Sequence, residues 1–186
     1  MEHTAIHPTE PRAMRLAKRE ITDPDALRAI VEACPTVRVG AVDDEGVFVV
    51  PMSFGYEWDE AASAPCAEAP ACTSSSHPRL TLWLHSAREG RKAAAFDTGG
   101  RVAIEMDIQD GVISGDFACA YSYAYRSIMG SGRIAREDDP ARKRYALAHI
   151  MAHLAPDAPT DFADNAIART NIYRVDVDRL TGKQRI

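Results

Sequence analysis

The chain of 186 residues is long enough for one hydrophobic core and short for two. Its 46% hydrophobic and 26% charged residues are those of an ordinary globular domain. A formal charge of −5 without a strong basic run argues against nucleic-acid binding, and no apolar run is long enough to span a bilayer.

Residues 1–20 mix Pro, His and charge without periodicity and read as a flexible arm, leaving 21–186 as a single domain. The arm lacks the apolar stretch of a secretory signal, so the cytoplasm is the expected compartment. Cys34, Cys66, Cys72 and Cys119 are then expected as reduced thiols. Asp23-Pro24 predicts a helix start, and Leu27, Ile30, Val31 and Cys34 give its buried stripe, with Pro35 as the stop. Thr36–Val42 alternates as a strand, Asp43–Gly46 is a turn, and Val47–Trp58 returns as a second strand. Pro51 cannot donate to a ladder, so it belongs at an edge or a bulge.

Residues 59–79 are rich in Ala, Pro and Ser and read as a flexible hairpin insertion. LTLWLHSA predicts the next strand, followed by a helix from Arg88 to Asp97 that stops at Gly99-Gly100. Arg101–Ile108 alternates, and Gly111–Glu137 stays mostly β. Asp139-Pro140 opens another helix with Leu147, Ile150, Met151 and Leu154 as its buried stripe, and a strand from Asn171 closes the chain. Few helices among many hairpin-like strands predict an α+β domain built on an antiparallel barrel or sheet, not a doubly wound fold.

The strand-to-helix junction LHSAREGRKAAAF carries the strongest chemical signal. Ser86 to Glu89 fits a capping box. The same junction can receive an anion: a helix N-terminus favours phosphate, Gly90 allows close approach, and Arg91 and Lys92 add charged donors. His149 and His153 stand at i, i+4 without a zincin carboxylate, so a solvated or interface helix face outweighs a metal site. Cys66, Cys72 and His77 lack a fourth ligand, and no metal is expected. Cys34 reads as a buried small hydrophobe. Gly130-Ser131-Gly132 reads as a bulge or close backbone approach, and Tyr121, Tyr123 and Tyr125 share one sheet face.

With these landmarks placed, the chain resembles the FMN-binding split β-barrels. Within them it resembles the pyridoxamine 5′-phosphate oxidase-like proteins that include the nitroimidazole-resistance reductases. The resemblance rests on REITD (19–23), VVPMSFGY (49–56), LHSAREGRK (84–92), YRSIMGSGRI (125–134) and LTGK (180–183), in order over nearly the whole chain. It implies a mainly antiparallel split barrel with flanking helices, a homodimer, and FMN in the groove between subunits. By the same resemblance Val50, Pro51, Met52, Ser53 and Phe54 line the isoalloxazine. His85, Ser86 and Ala87 hold the ribityl-phosphate side, with Gly90, Arg91 and Lys92 at the phosphate. Tyr125, Ser127 and Ile128 complete the site, from the same chain or the other subunit. His85 is the candidate catalytic, substrate-side group.

Two departures qualify the match: the 59–79 insertion, and a C-terminal LTGKQRI without the substrate-binding Arg and His pattern of a true pyridoxamine-phosphate oxidase. The expected activity is therefore transfer of electrons from a reduced nicotinamide, through the flavin, to a small planar acceptor. A non-catalytic flavin or haem carrier or sensor is the alternative, with His85, His149 and His153 as open haem ligands. A dimer with a vestigial groove is a third.

Overall fold

The computed structural model describes residues 13–59 and 79–186. A 3₁₀ turn at Ala17–Arg19 leads into the short strand β1 (Glu20–Ile21), which pairs with the C-terminal strand, so the described end of the expected arm is tied to the sheet. Helix α1 (Pro24–Ala33) starts as its sequence dictates: Asp23 Oδ1 accepts from the Asp25 amide at 3.1 Å and Pro24 sits in the first turn. Its buried face is Leu27, Ile30 and Val31, and Cys34 caps its end, itself buried. Burial, reinforced by Asp107 and Glu105, pushes the Cys34 thiol up to about 11, as suits a packing residue without thiolate chemistry.

Strands β2 (Val37–Asp43) and β3 (Gly46–Met52) form a hairpin, and β4 (Phe54–Asp59) follows after Ser53 alone. Then come β5 (Arg79–Ser86), α2 (Arg91–Asp97), β6 (Gly100–Ile113), β7 (Ser122–Glu137), α3 (Pro140–Leu154), α4 (Asp164–Arg169) and β8 (Asn171–Arg185). The described pairings are all antiparallel, in the order β3-β2-β6-β7-β8-β5-β4. The two ends of that order, β3 and β4, are consecutive in sequence. One length of chain therefore pairs with β2 before Ser53 and with β5 after it, and the sheet curls into a barrel split along this strand.

The barrel interior holds one large cluster that includes Val37, Val39, Phe54, Leu82, Leu84, Ile104, Met106, Ile128 and Val175, all essentially inaccessible. A satellite cluster of Trp83, Ala146, Ile150 and Ile172 seats α3 on the outside of β5 and β8. Strand alternation explains both, since Leu82 and Leu84 face the interior while Trp83 between them faces α3.

Several sequence expectations are corrected. The strand expected over Val47–Trp58 breaks at Ser53, not at Pro51, which stays in register opposite Arg38. Pro51 is tolerated because β3 ends the sheet order, the edge alternative for this residue. The helix expected from Arg88 begins at Arg91. On α3 the buried residues are Lys143, Ala146 and Ile150; Leu147 and Met151 are partly exposed and Leu154 is exposed. The helix packs one turn off the apolar stripe because Lys143 buries its stem and gives its ammonium to the Thr170 carbonyl at 2.9 Å. Helix α4 had no expectation. Gly130 and Gly132 do mark close approach, to the β8 backbone at Arg179 and Asp176, where the β7–β8 register shifts. Tyr121 precedes β7, whereas Tyr123 and Tyr125 lie two apart within it and share a face. The insertion, with Cys66, Cys72 and His77, falls outside the described residues apart from its flanks, Asp59 and Arg79.

Candidate functional site

The residues singled out in sequence fall into two groups in space. The first surrounds the strand break. Val50, Pro51 and Met52 end β3, Ser53 is the break, and Phe54 begins β4 opposite Leu84 of β5. His85 and Ser86 end β5 one and two residues on, Ala87 leaves the strand, and Gly90-Arg91-Lys92 open α2. Met52 and Phe54 point into the core, so at this surface the segment presents Pro51, Ser53 and backbone. The second group, Tyr125, Ser127 and Ile128, lies on β7, three strands from β3 in one direction and three from β4 in the other. Ile128 is completely buried in the barrel core. Within one chain Ile128 shares the buried core with Met52 and Phe54, while Tyr125 and Ser127 lie on a strand that does not pair with β3, β4 or β5.

The capping box does not form. Ser86 is still in β5, and its hydroxyl donates to the Ala87 carbonyl at 2.7 Å. The N-cap is Gly90, with φ of +110° and no side-chain cap. That left-handed value favours glycine, and nothing lies within 4 Å of where a Cβ would stand. Helix α2 is instead tied to the sheet at its far end by a buried polar group. Tyr173 donates its hydroxyl to Asp97 at 2.8 Å and accepts from the Asn171 amide at 3.1 Å. Burial first, then Asp97, pushes the Tyr173 phenol above its ordinary range, so it stays a neutral donor. Sequence gave no sign of this support, because the partners lie 76 residues apart.

The two cations differ. Arg91 is engaged within the chain: its Nε and one Nη hold both Asp43 oxygens at 2.8 Å, the same Nη reaches the Gly46 carbonyl at 3.2 Å, and the guanidinium sits over Phe48. This bidentate contact holds the Asp43 carboxyl below the usual range. Lys92, among the described residues, has no carboxylate partner. Its charge is felt by His85: burial among neighbouring atoms, then the Lys92 ammonium, holds that imidazole below the usual histidine range. Neighbouring atoms crowd the flanks of the His85 ring while its outer edge stays open at the sheet surface, so it is an accessible, preferentially neutral donor and acceptor.

The shift predicts an acid sensitivity with a definite sign. An unfolded chain binds the His85 proton at about 6.5, whereas the folded chain holds it less tightly. As pH falls through 6.5 towards the folded value, protonation therefore draws the protein towards the unfolded state. Between pH 7.5 and 5 the melting temperature of wild type should fall more than that of His85→Gln. Parallel curves would show that His85 titrates alike in both states.

Two residues that the sequence did not connect to this site also touch it. Asp43 occupies Arg91, and His153 of α3 donates from Nδ1 to the Phe54 carbonyl at 2.9 Å. His149 donates from Nδ1 to the Tyr145 carbonyl at 3.0 Å. No group of three or more His, Cys, Asp or Glu side chains suited to a metal occurs among the described residues. Nor is any described helix long and apolar enough to cross a membrane.

Comparison with known proteins agrees with this architecture. The solved structure of a proposed 5-nitroimidazole antibiotic resistance protein from Bacteroides thetaiotaomicron is 31% identical, covers 89% of this chain and 86% of its own, and superposes with a TM-score of 0.68. The flavocytochrome Anf3 of Azotobacter vinelandii shares the fold at 21% identity, with coverage of 94% and 72% and a TM-score of 0.72. An FAD- and haem-binding protein of Mycobacterium smegmatis does so at 16% identity, with coverage of 89% and 73% and a TM-score of 0.65. No curated protein matches the sequence. The family model for pyridoxamine 5′-phosphate oxidase matches residues 23–184, from the cap of α1 almost to the end of β8. With its split barrel intact over that span, the chain belongs to the pyridoxamine 5′-phosphate oxidase family.

Proposed function

We propose that the protein is an FMN-dependent oxidoreductase that takes electrons from a reduced nicotinamide and passes them to a small planar acceptor. The observation that carries this reading is the Lys92 ammonium, without a carboxylate partner among the described residues, beside the open backbone at Gly90 and next to the strand break at the half-buried Ser53. An unpaired cation at an uncrowded turn suits a phosphate, and the adjoining backbone suits the edge of a flat ring. Bound there, the flavin supplies the redox chemistry. The chain binds it through Lys92 and the turn, orients it against Val50 to Phe54, and places the neutral His85 where an acceptor would meet the ring.

A homodimer completes the proposal. Val42 and Val47 pair across β2–β3, Gly40 links Val49 to Ala103, and Glu105 is paired with Met129, so all share one outer face. Val42, Val47, Val49 and Met129 are 71%, 78%, 61% and 64% exposed in the isolated chain. These exposed apolar side chains, with the Arg38–Glu105 ion pair on the same face, suit burial against a second copy, which would also bring a partner's β7 towards the strand break.

The haem reading has less support. His153 has both ring nitrogens against carbonyls, at 2.9 and 3.3 Å, whereas His149 engages only Nδ1, leaving its other nitrogen for a ligand. Purified protein should be yellow or take up added FMN, and anaerobic reduced nicotinamide should bleach it. A colourless protein that takes up no FMN would sink the proposal. A Soret band would favour haem, and a flavin that nicotinamide cannot reduce would favour a carrier.

A further inference from the structure

We propose that His153 is a positioning residue for the flavin site, acting from α3 through the backbone at the strand break; this rests on the flavin reading above. The break has a specific structural need. Where the chain exchanges β2 for β5 as its partner, β4 becomes the end of the sheet order, and among the described residues no strand lies on its outer side to satisfy it. At the first residue of β4 that need is met by a side chain: the Phe54 carbonyl accepts from His153 Nδ1 at 2.9 Å. The imidazole thus stands where a neighbouring strand would have supplied an amide.

Its own orientation is fixed from three sides. The ring lies 4.4 Å from the Phe54 ring and meets the Tyr56 ring edge-on at 5.4 Å, and Nε2 faces the Glu32 carbonyl in the last turn of α1 at 3.3 Å. One turn earlier, the α3 backbone at His149 and Ile150 lies so close to Gly55 that a Cβ there would overlap it. Helix α3 therefore grips two consecutive residues, Phe54 through a hydrogen bond and Gly55 through backbone contact. Ser53, between this grip and the β2–β3 ladder, has its position set from both sides. The C-terminal end of α3 has little other anchorage on its apolar side, since Leu154 is 53% exposed. His153 does not touch the proposed flavin; it determines where Ser53 and the preceding backbone stand.

The test compares two replacements in the full chain. His153→Gln keeps an amide donor, and His153→Leu keeps bulk without one. Without FMN, the Phe54 carbonyl carbon resonance should move in His153→Leu and stay near its wild-type position in His153→Gln. With FMN, His153→Leu should bind about tenfold more weakly, the scale of one lost hydrogen bond, and change the visible circular dichroism of the flavin. His153→Gln should restore both to within about threefold of wild type, on the same scale. An unmoved carbonyl resonance, equal losses in both variants, or unchanged affinity and dichroism in His153→Leu would each overturn the proposal. Wild-type protein that takes up no FMN would overturn the flavin reading instead, and the carbonyl resonance would then decide whether His153 holds the break.

Discussion

Gly55→Ala should lower the melting temperature by about 6–12 °C, the largest stability loss we expect from so small a change. A methyl group on Gly55 would overlap the His149 carbonyl carbon and the Ile150 nitrogen and come within 2.7 Å of the His149 oxygen. These are backbone atoms in the middle of α3, so no rotamer change can relieve the overlap; the whole helix must move. Overpacking costs about 1–3 kcal/mol, and rigid backbone on the far side places this case near the upper end. For a chain of this size each kcal/mol shifts the midpoint by about 2–4 °C. Displacing α3 would also uncover Trp83, whose indole donates to Glu57 at 2.7 Å, with Tyr145 of α3 donating to the same carboxylate at 2.6 Å. Thermal unfolding followed by circular dichroism measures the effect. A shift below about 2 °C, less than 1 kcal/mol on the same scale, would mean that α3 is not locked on β4 at this point.

Lys92→Ala should weaken FMN binding by about tenfold to a hundredfold, the range for a charge-assisted hydrogen bond to phosphate. Arg91→Ala should act differently. Its fork already holds Asp43, and its side chain is 37% exposed, so solvent screens the pair and its contribution to stability is small. Losing it frees the β2–β3 turn from α2 and removes the cover over Phe48. We therefore expect Arg91→Ala to show a modest melting shift with a smaller loss of FMN affinity. The double variant should lose the most, and Cys119→Ala, on the exposed turn before β7, should bind as wild type. Fluorescence titration of FMN against the four proteins distinguishes them. Lys92→Ala binding as tightly as wild type would remove that residue from the phosphate.

These expectations divide along the line between local and distant information. The Asp23 cap, the β2–β3 hairpin, the exclusion of Pro51 from a central ladder, the burial of Cys34 and a bulge or close approach at Gly130 and Gly132 were legible in the sequence. Each follows from a few neighbouring residues: a capping carboxylate, an alternating run, a missing amide, a residue without a Cβ. The family was legible too, because VVPMSFGY, LHSAREGRK and LTGK stand in order along the chain.

Where local chemistry left several outcomes, tertiary structure chose. Ser86 to Glu89 fits a capping box, yet β5 extends through Ser86 because its ladder with Asn171 on β8 outweighs one cap. Arg91 and Lys92 are adjacent cations in sequence, but only the fold brings Asp43 from the β2–β3 turn to claim the first and leave the second without a carboxylate among the described residues. His153 read as half of an unconvincing metal pair and became a brace for the strand break, through a bond that spans 99 residues. The sequence by itself determined the starts of α1 and α3, the alternation of the strands and the family. The tertiary structure alone decided which charge is spent, which is available and what holds the break, because long-range pairing sets those partners and no local pattern encodes it.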